Sequence, residues 1–393
     1  MIDKNKVQFL LADLKPELFR FRRTLHAHPE LSFQEANTSL FVQSILNSWN
    51  IEFTTGWATH GIVGIIKGDL ESDRTVALRA DMDALPIQEN NELEWKSKEN
   101  GIMHACGHDV HMTCLLGALF LLNSLRSDWG GTVKFIFQPG EEKLPGGASI
   151  MIDQKVLESP MPDVIIGQHV QPNMDVGHVG ICPLKAMASC DEIYLTIKGV
   201  GGHAAMPLLA INPISVASEL VLELNQLLVN FNPNKVPSVL SIGKFTTEGG
   251  ATNIIPERVH IEGTFRCMDE DFRKYVHCLI EKICLDISLK YKAHCSLNIQ
   301  KGYPCLMNDL DYYHAFLKVA KNYLGEANVE ILQPRMTSED FAYYSQQIPA
   351  IFYRLGTGQS SNVHTSQFTV NEESILIGAG LMATLASTIL RNT

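Results

Sequence analysis

Between His104 and His111 the chain reads HACGHDVH, which sets three histidines, a cysteine and an aspartate within eight residues. Imidazole and thiolate together are ligands for zinc and for other borderline or softer divalent metals. Cys106 and His108 stand two residues apart, a spacing that cannot put both on one helix face. It fits a loop leading into a helix at Val110. The plainer alternative is a helix start decorated with polar caps, Asp109 being the cap.

A second set of groups comes from Gln138-Pro139-Gly140-Glu141-Glu142, after the apolar run TVKFIFQ. A metal-activated water needs one carboxylate to take its proton while another ligates the metal, and neighbouring glutamates can divide those tasks. By itself a Glu-Glu pair is ordinary loop charge, and it gains meaning from HACGHDVH before it and His169 after it. His169 closes the apolar stretch DVIIGQH, where a core histidine is an equally natural reading. His364 lies in the polar segment NVHT and taken singly is a surface histidine. Asp81, in RADMD, follows a buried strand and could orient a ligand imidazole from behind. Asp83 could serve instead, or cap a turn.

The elements that must carry these groups alternate. Helical rhythm marks 15–25 and 35–49, and apolar runs mark strands over 61–67 and 75–78. A helix follows His108, then strands over 132–138 and 163–169. This βαβ alternation predicts a largely parallel sheet covered by helices, with ligand groups at the carboxyl ends of its strands. Near residue 185 the texture changes to strand–helix–strand–strand–helix–strand through 299, the split βαβ pattern of a small α+β sandwich. An inserted domain over 185–299 therefore interrupts a first domain of 1–184 and 300–393.

Composition narrows the function. The 393 residues are 45% hydrophobic and 19% charged, as in a globular protein. Lys and Arg number 32 against 43 Asp and Glu, a net charge of −11. That argues against non-specific nucleic-acid or anionic-membrane binding, which need a cationic footprint. The N-terminal residues mix charges into apolar positions and predict no secretory signal. The apolar stretch Ile375 to Leu390 is shorter than the roughly 20 residues of a membrane span and reads as a buried helix. Nine cysteines, an odd count at scattered spacings, predict free thiols in a reducing, cytoplasmic setting.

Taken in order, the motifs LHAHPELSFQE (25–35), RADMDALPI (79–87), HACGHDVHM (104–112), FQPGEE (137–142), GGA and MI (within 146–152), GGHAAMP (201–207), TNIIP (252–256), GTFR (263–266), SEDF (338–341) and HT (364–365) carry a resemblance. The chain resembles the aminoacylase/carboxypeptidase family of co-catalytic metallo-amidohydrolases, in its branch of hippurate hydrolases, N-acyl-L-amino acid amidohydrolases and auxin–amino acid conjugate hydrolases. The resemblance implies an α/β, zinc-peptidase-like catalytic domain with an inserted lid or dimerisation domain. It implies two divalent metals, of zinc, manganese, cobalt or nickel, bridged by Cys106. His108 and His169 would complete one, Glu142 and His364 the other. Glu141 corresponds to the general base and Asp81 to the aspartate behind a metal-bound histidine. Arg79 stands where related families carry a ligand histidine, a place that His108 takes over in this branch. His203 corresponds to a lid histidine that reaches the partner subunit's site in a homodimer and stabilises the oxyanion. Asn253 and Arg266 correspond to positions that hold the substrate, Arg266 being suited to a bidentate grip on its carboxylate. The Gly-rich turn at 199–202 lacks the GxGxxG spacing of a nucleotide loop. Gly140, where the family often has Ala, and Ser366, where it often has Pro, depart from the pattern.

The activity so implied is hydrolysis of small N-acyl-L-amino acids, with acetyl, benzoyl or indoleacetyl groups, to a carboxylic acid and a free amino acid. A dipeptidase or aminopeptidase, or an N-acetyl-diaminopimelate deacetylase, would use the same scaffold. A catalytically inactive metal-containing binding protein is the non-enzymatic alternative. Retention of Glu141 beside the whole ligand set argues against it.

Overall fold

Three of the apolar runs marked by the sequence, Gly130–Gln138, Leu70–Asp81 and Val164–Gln171, lie side by side with Ala350–Gly356 as the parallel centre of an eight-stranded sheet. Burial on both faces explains why they read as near-continuous hydrophobic runs. Gly61–Lys67 and Phe53–Trp57 extend one side in antiparallel fashion. Val179–Ile181 and Val329–Ile331 extend the other. The computed structural model describes residues 2–391.

The sheet belongs to the first of two units, formed by the residues up to Leu184, Met307–Gln333 and those from Asp340 on. Helices Lys4–Ala27, His108–Ser124 and Glu373–Ile389 share one hydrophobic core with it. The last of these, ESILIGAGLMATLASTI, is buried along nearly its whole length, as its uniform apolarity predicts. Small residues let it approach closely: a methyl added at Gly117 would lie 2.7 Å from the Ala379 methyl. The four central strands end at Asp81, Gln138, Gln171 and Gly356, so the groups that follow them gather at one edge.

The second unit comprises Lys185–Leu306 with Pro334–Glu339. Its antiparallel sheet has the order Ser238–Glu248, Arg258–Cys267, Ser189–Lys198, His294–Lys301. Along Ser189–Lys198 burial alternates residue by residue, the period of a sheet with one wet face. Helices Pro213–Phe231 and Glu270–Tyr291 cover the dry face. Both begin on caps visible in the sequence: Asn212 accepts from Ile214 N and Asp269 from Phe272 N. Pro213–Phe231 is long and apolar enough to cross a membrane, and its buried stripe of Val216, Leu220, Leu224 and Leu227 faces this core.

This unit runs past the expected limit of 299 for a definable reason. Buried Asp191 accepts from Arg273 Nε at 2.9 Å, His277 Nε2 at 2.7 Å and Gly302 N at 3.2 Å. Cys305 N donates to Glu270 at 2.8 Å. The segment 302–305 is thereby bound to the second unit. Residues 334–339 return to it through backbone pairing of Arg335 with Ala186 and Ala188, a contact between distant segments that no local pattern signals.

The turn after Gly130–Gln138 accounts for one departure from the family pattern. Gly140 has φ +67°, and a methyl there would meet the Phe33 ring at 2.4 Å. Its N–H donates to Glu35 at 2.8 Å. Phe33 thus fills the space an alanine would need, and LSFQE and FQPGEE are packed against each other. Gly140→Ala should lower the thermal unfolding midpoint, at a cost of roughly 1–3 kcal/mol for overpacking. Adding Phe33→Leu should recover part of the loss. Strictly additive effects of the two changes would show that they do not share this contact.

Candidate metal centre

At the carboxyl edge of the large sheet the sequence motifs converge. Gly107, at φ +82°, turns the chain into helix His108–Ser124. A side chain there would meet Val170 Cγ2 at 2.6 Å, so glycine brings the HACGH turn down onto the end of the strand that carries His169. Cys106 Sγ lies 3.4 Å from His169 Nε2 and 3.3 Å from His364 Nε2. Glu142 Oε1 is 3.2 Å from His364 Nε2 and 3.9 Å from His108 Nε2. Two overlapping clusters result, Cys106 with His108 and His169, and Cys106 with Glu142 and His364, each compact enough to hold one ion.

Hydrogen bonds fix which ring atoms face inward. His108 Nδ1 donates to Asp83 at 3.2 Å, and His169 Nδ1 to the Val170 carbonyl at 2.8 Å. Both rings therefore turn Nε2 into the site, as ligand histidines oriented from behind do. His108 Nε2 and Glu142 Oε1 are buried without a hydrogen-bond partner. Orphaned donor atoms aimed at one place fit a cation between them. Charge points the same way. Burial would hold the His108 imidazole down, but Asp81, Asp83 and Glu142 outweigh it and push it up to about 10. Burial, then Glu142, Glu141 and Asp81, drives the Cys106 thiol well above its usual range. A site crowded with carboxylates around a thiol calls for positive charge.

Glu141 is buried, and its carboxylate lies in a cluster with the His108 imidazole and the Glu142 carboxylate while accepting from Asp340 N at 3.3 Å. Asp81 stands differently from the expectation that it backs the ligand histidine. Asp83 takes the His108 Nδ1 proton and is itself held by Ser32 Oγ at 2.6 Å and Glu142 N at 2.9 Å. Asp81 accepts from His111 Nδ1 at 2.6 Å and approaches His108 Nε2 at 3.7 Å. Burial raises its carboxyl, but His108, His111 and Arg79 prevail and hold it well below the usual range. His111 Nε2 accepts the Val170 N–H at 2.9 Å, so that ring is fully used and has no lone pair left for a metal.

Beneath lies a network that sequence reasoning did not foresee. Arg79 donates to Asp81 at 2.7 Å, to Gln138 at 2.9 Å and to Asp340 at 2.7 Å. Gln138 Nε2 and Ala148 N also donate to Asp340. The signal for His111 and Asp340 was present in HACGHDVHM and SEDF, but a separation of 259 residues hides the Asp340–Asp81 neighbourhood.

The remaining expected residues lie in the second unit. His203 is in the short strand Gly202–His203, paired with Ile254–Ile255. Ala204 N donates to the Asn253 carbonyl at 3.0 Å, which brings these two sites together. His203 Nδ1 accepts from Ala205 N at 3.1 Å, so the exposed ring carries its proton on Nε2. Arg266, on Arg258–Cys267, donates to Ser338 Oγ at 3.1 Å.

Residues 77–388 match the peptidase family M20/M25/M40 profile. An N-acyl-L-amino acid amidohydrolase of Geobacillus stearothermophilus is 38% identical, over 78% of this chain and 81% of its own length. An N-acetyl-L-cysteine deacetylase of Bacillus subtilis is 36% identical, over 93% and 86%. The crystal structure of a Bacillus subtilis dinuclear metal binding peptidase from the M20 family superposes with a TM-score of 0.84 at 32% identity, covering 96% of this chain and 99% of that one. The chain belongs to peptidase family M20/M25/M40 and is a hydrolase of amide bonds.

Proposed function

We propose that this protein hydrolyses the amide of N-acyl-L-amino acids at a centre of two divalent cations. Cys106, His108 and His169 would hold one of them, and Cys106, Glu142 and His364 the other. The observation that carries the reading is the convergence of imidazole Nε2 atoms, a thiol and the orphaned Glu142 oxygen on one place, with Glu141 beside them. The names of the relatives, an N-acyl-L-amino acid amidohydrolase and an N-acetyl-L-cysteine deacetylase, supply the substrate class.

Cations in such a centre lower the pKa of a bound water and polarise the scissile carbonyl. Glu141 takes the proton from the attacking water and returns it to the leaving amine. Its backbone anchor, Asp340 N, belongs to the segment tied to Arg79, which holds the base in register with the cluster. Asp83 orients His108 and, through Glu142 N, the turn that carries both glutamates. In the second unit, His203 donates from Nε2 to the developing oxyanion, from a partner subunit of a homodimer. Arg266 grips the amino-acid carboxylate and Asn253 lies beside the same substrate.

Glu141→Gln should lower kcat by about 10²–10⁴-fold while metal content stays at the wild-type level. A near-normal rate would remove Glu141 from the role of base. Cys106→Ala should lose metal from both positions at once, because one thiol serves both, whereas His364→Ala should lose only one.

Metal affinity should rise with pH. In the metal-free protein the raised His108 and Cys106 groups hold protons at neutral pH, and a cation must displace them. Calorimetric titration in buffers of different ionisation enthalpy should register release of roughly one to two protons on uptake. Metal binding without proton release would mean that these two groups are not ligands.

Chelated enzyme given back single metals should cleave N-acetyl, N-benzoyl or indoleacetyl amino acids. Turnover of dipeptides alone would instead select the dipeptidase reading.

A further inference from the structure

His26 stands in the last turn of helix Lys4–Ala27, is 1% exposed, and has no part in the chemistry described above. Its Nδ1 lies 2.8 Å from an oxygen of Asp109 and its Nε2 3.2 Å from one of Glu89. A neutral imidazole has a single N–H and would turn a lone pair on one of these carboxylates. The ring that answers both is the imidazolium. Burial, and Arg22 at 3.3 Å from Nδ1, oppose that charge, but Asp109 and Glu89 prevail and raise the ring above its ordinary value. Arg22 Nε also lies 2.9 Å from Asp109. Glu372, 3.6 Å from Arg22, is paired with Arg23 at 2.6 Å. Two buried cations, His26 and Arg22, thus face two buried carboxylates, Asp109 and Glu89.

Each of these carboxylates leads to a different part of the metal centre. Asp109 follows His108 in the first turn of helix His108–Ser124. Its Oδ2 faces His26 and its Oδ1 has no hydrogen-bond partner, so it does not cap that helix. Glu89 also accepts from Ser97 N at 2.6 Å and from Asn91 Nδ2 at 2.9 Å. The same Asn91 amide donates to the Phe368 carbonyl at 2.9 Å, and Asn90 N donates to the Ser366 carbonyl at 2.9 Å. Segment 89–91 therefore fastens the loop that carries His364.

That loop depends on being fastened. His108 and His169 are aimed through Nδ1 by Asp83 and the Val170 carbonyl. Among the described residues His364 Nδ1 has no such partner, and the side chain is 51% exposed. Its ring is placed by the backbone, which stands at φ +62° with its N–H on the Ala105 carbonyl at 2.8 Å. A residue with a side chain keeps a left-handed conformation only where its surroundings impose it.

We propose that His26 is a positioning residue of the metal centre. By holding Asp109 and Glu89 at once, its ring fixes the His364 loop against the helix that carries His108, and so keeps Cys106, Glu142 and His364 in shape to take a cation. The proposal rests on the two-cation reading and adds to it a residue outside both ligand clusters.

The test is cobalt(II) titration of the chelated full chain, followed by visible absorption and equilibrium dialysis. Wild type should take up two ions, and His364→Ala identifies the dissociation constant that belongs to its position. In His26→Gln, which leaves Glu89 without a cation, that constant should rise about tenfold or more, the loss typical when a group supporting the ligands is removed. The other constant should stay near its wild-type value. Adding Glu89→Gln removes the unanswered anion and allows an uncharged bond, so the double variant should recover most of the loss. Asn91→Ala, at a half-buried position that makes no bond to His26, cuts the link to Phe368 and should weaken the same constant, so the test does not hang on the folding of His26→Gln. Equal weakening of both constants in His26→Gln, no weakening in it, no recovery in the double variant, or wild-type constants in Asn91→Ala would each overturn the proposal and leave the two-cation reading standing. Uptake of fewer than two ions by wild type would overturn that reading, and the role of His26 with it.

Discussion

Negative charge held away from water is the constraint around which the catalytic unit is organised. Asp81, Asp83, Glu141 and Asp340 are each nearly or wholly buried, and Glu142 joins them at the rim. Carboxylates this close cannot all remain ionised unless cations answer them. Two kinds of cation do so. Arg79 gives a permanent charge, shared between Asp81 and Asp340 and fixed by Gln138. His108 gives a removable one, because its imidazole is raised to about 10 and would give up a proton to the metal binding proposed above. The same frame of hydrogen bonds serves both conditions, since Asp83 accepts from Nδ1 either way. Metal can therefore enter without rebuilding the walls of the site.

The fate of each histidine in HACGHDVH follows from what its ring nitrogens meet. His108 turns an Nε2 without a hydrogen-bond partner into the site. His111 spends both nitrogens, one on Asp81 and one on the Val170 N–H, and so links the helix to the strand end that carries His169. His104 is buried with neither nitrogen bonded, and burial holds it down to about 4. It is a neutral ring next to Cys106 and adds no charge to a crowded neighbourhood. Residue type alone made these three equivalent candidates. The distinction between ligand and scaffold came from the hydrogen-bond partners, which lie 25 to 59 residues away in the chain.

What the sequence made legible were features encoded locally. Continuous apolar runs marked three of the central strands, and the change of texture near 185 marked the start of the second unit. Ligand candidates were legible because thiol, imidazole and paired carboxylates are rarely clustered without cause. What stayed hidden was set by pairing across long separations. The strand Ala350–Gly356 completes the parallel centre far from its neighbours in sequence. Residues 334–339 leave one unit for the other because of two backbone contacts near Ala186 and Ala188. The choice between Asp81 and Asp83 behind His108 turned on which ring each carboxylate reaches, His111 for Asp81 and His108 Nδ1 for Asp83, which the motif RADMD alone cannot decide.

Arg79 shows how such a departure is accommodated chemically. A guanidinium has no acceptor and cannot ligate a metal, so the position that serves as a ligand histidine in related families is spent here on charge. The cost of that exchange is one lost neutral ligand, and its return is a permanent cation beneath the site. That cation joins His108 and His111 in keeping Asp81 ionised against burial, while burial, then Glu142, Glu141 and Asp81, force the Cys106 thiol to hold its proton. Arginine at 79 thus acts on the site through Asp81 and Asp340, the two carboxylates it holds.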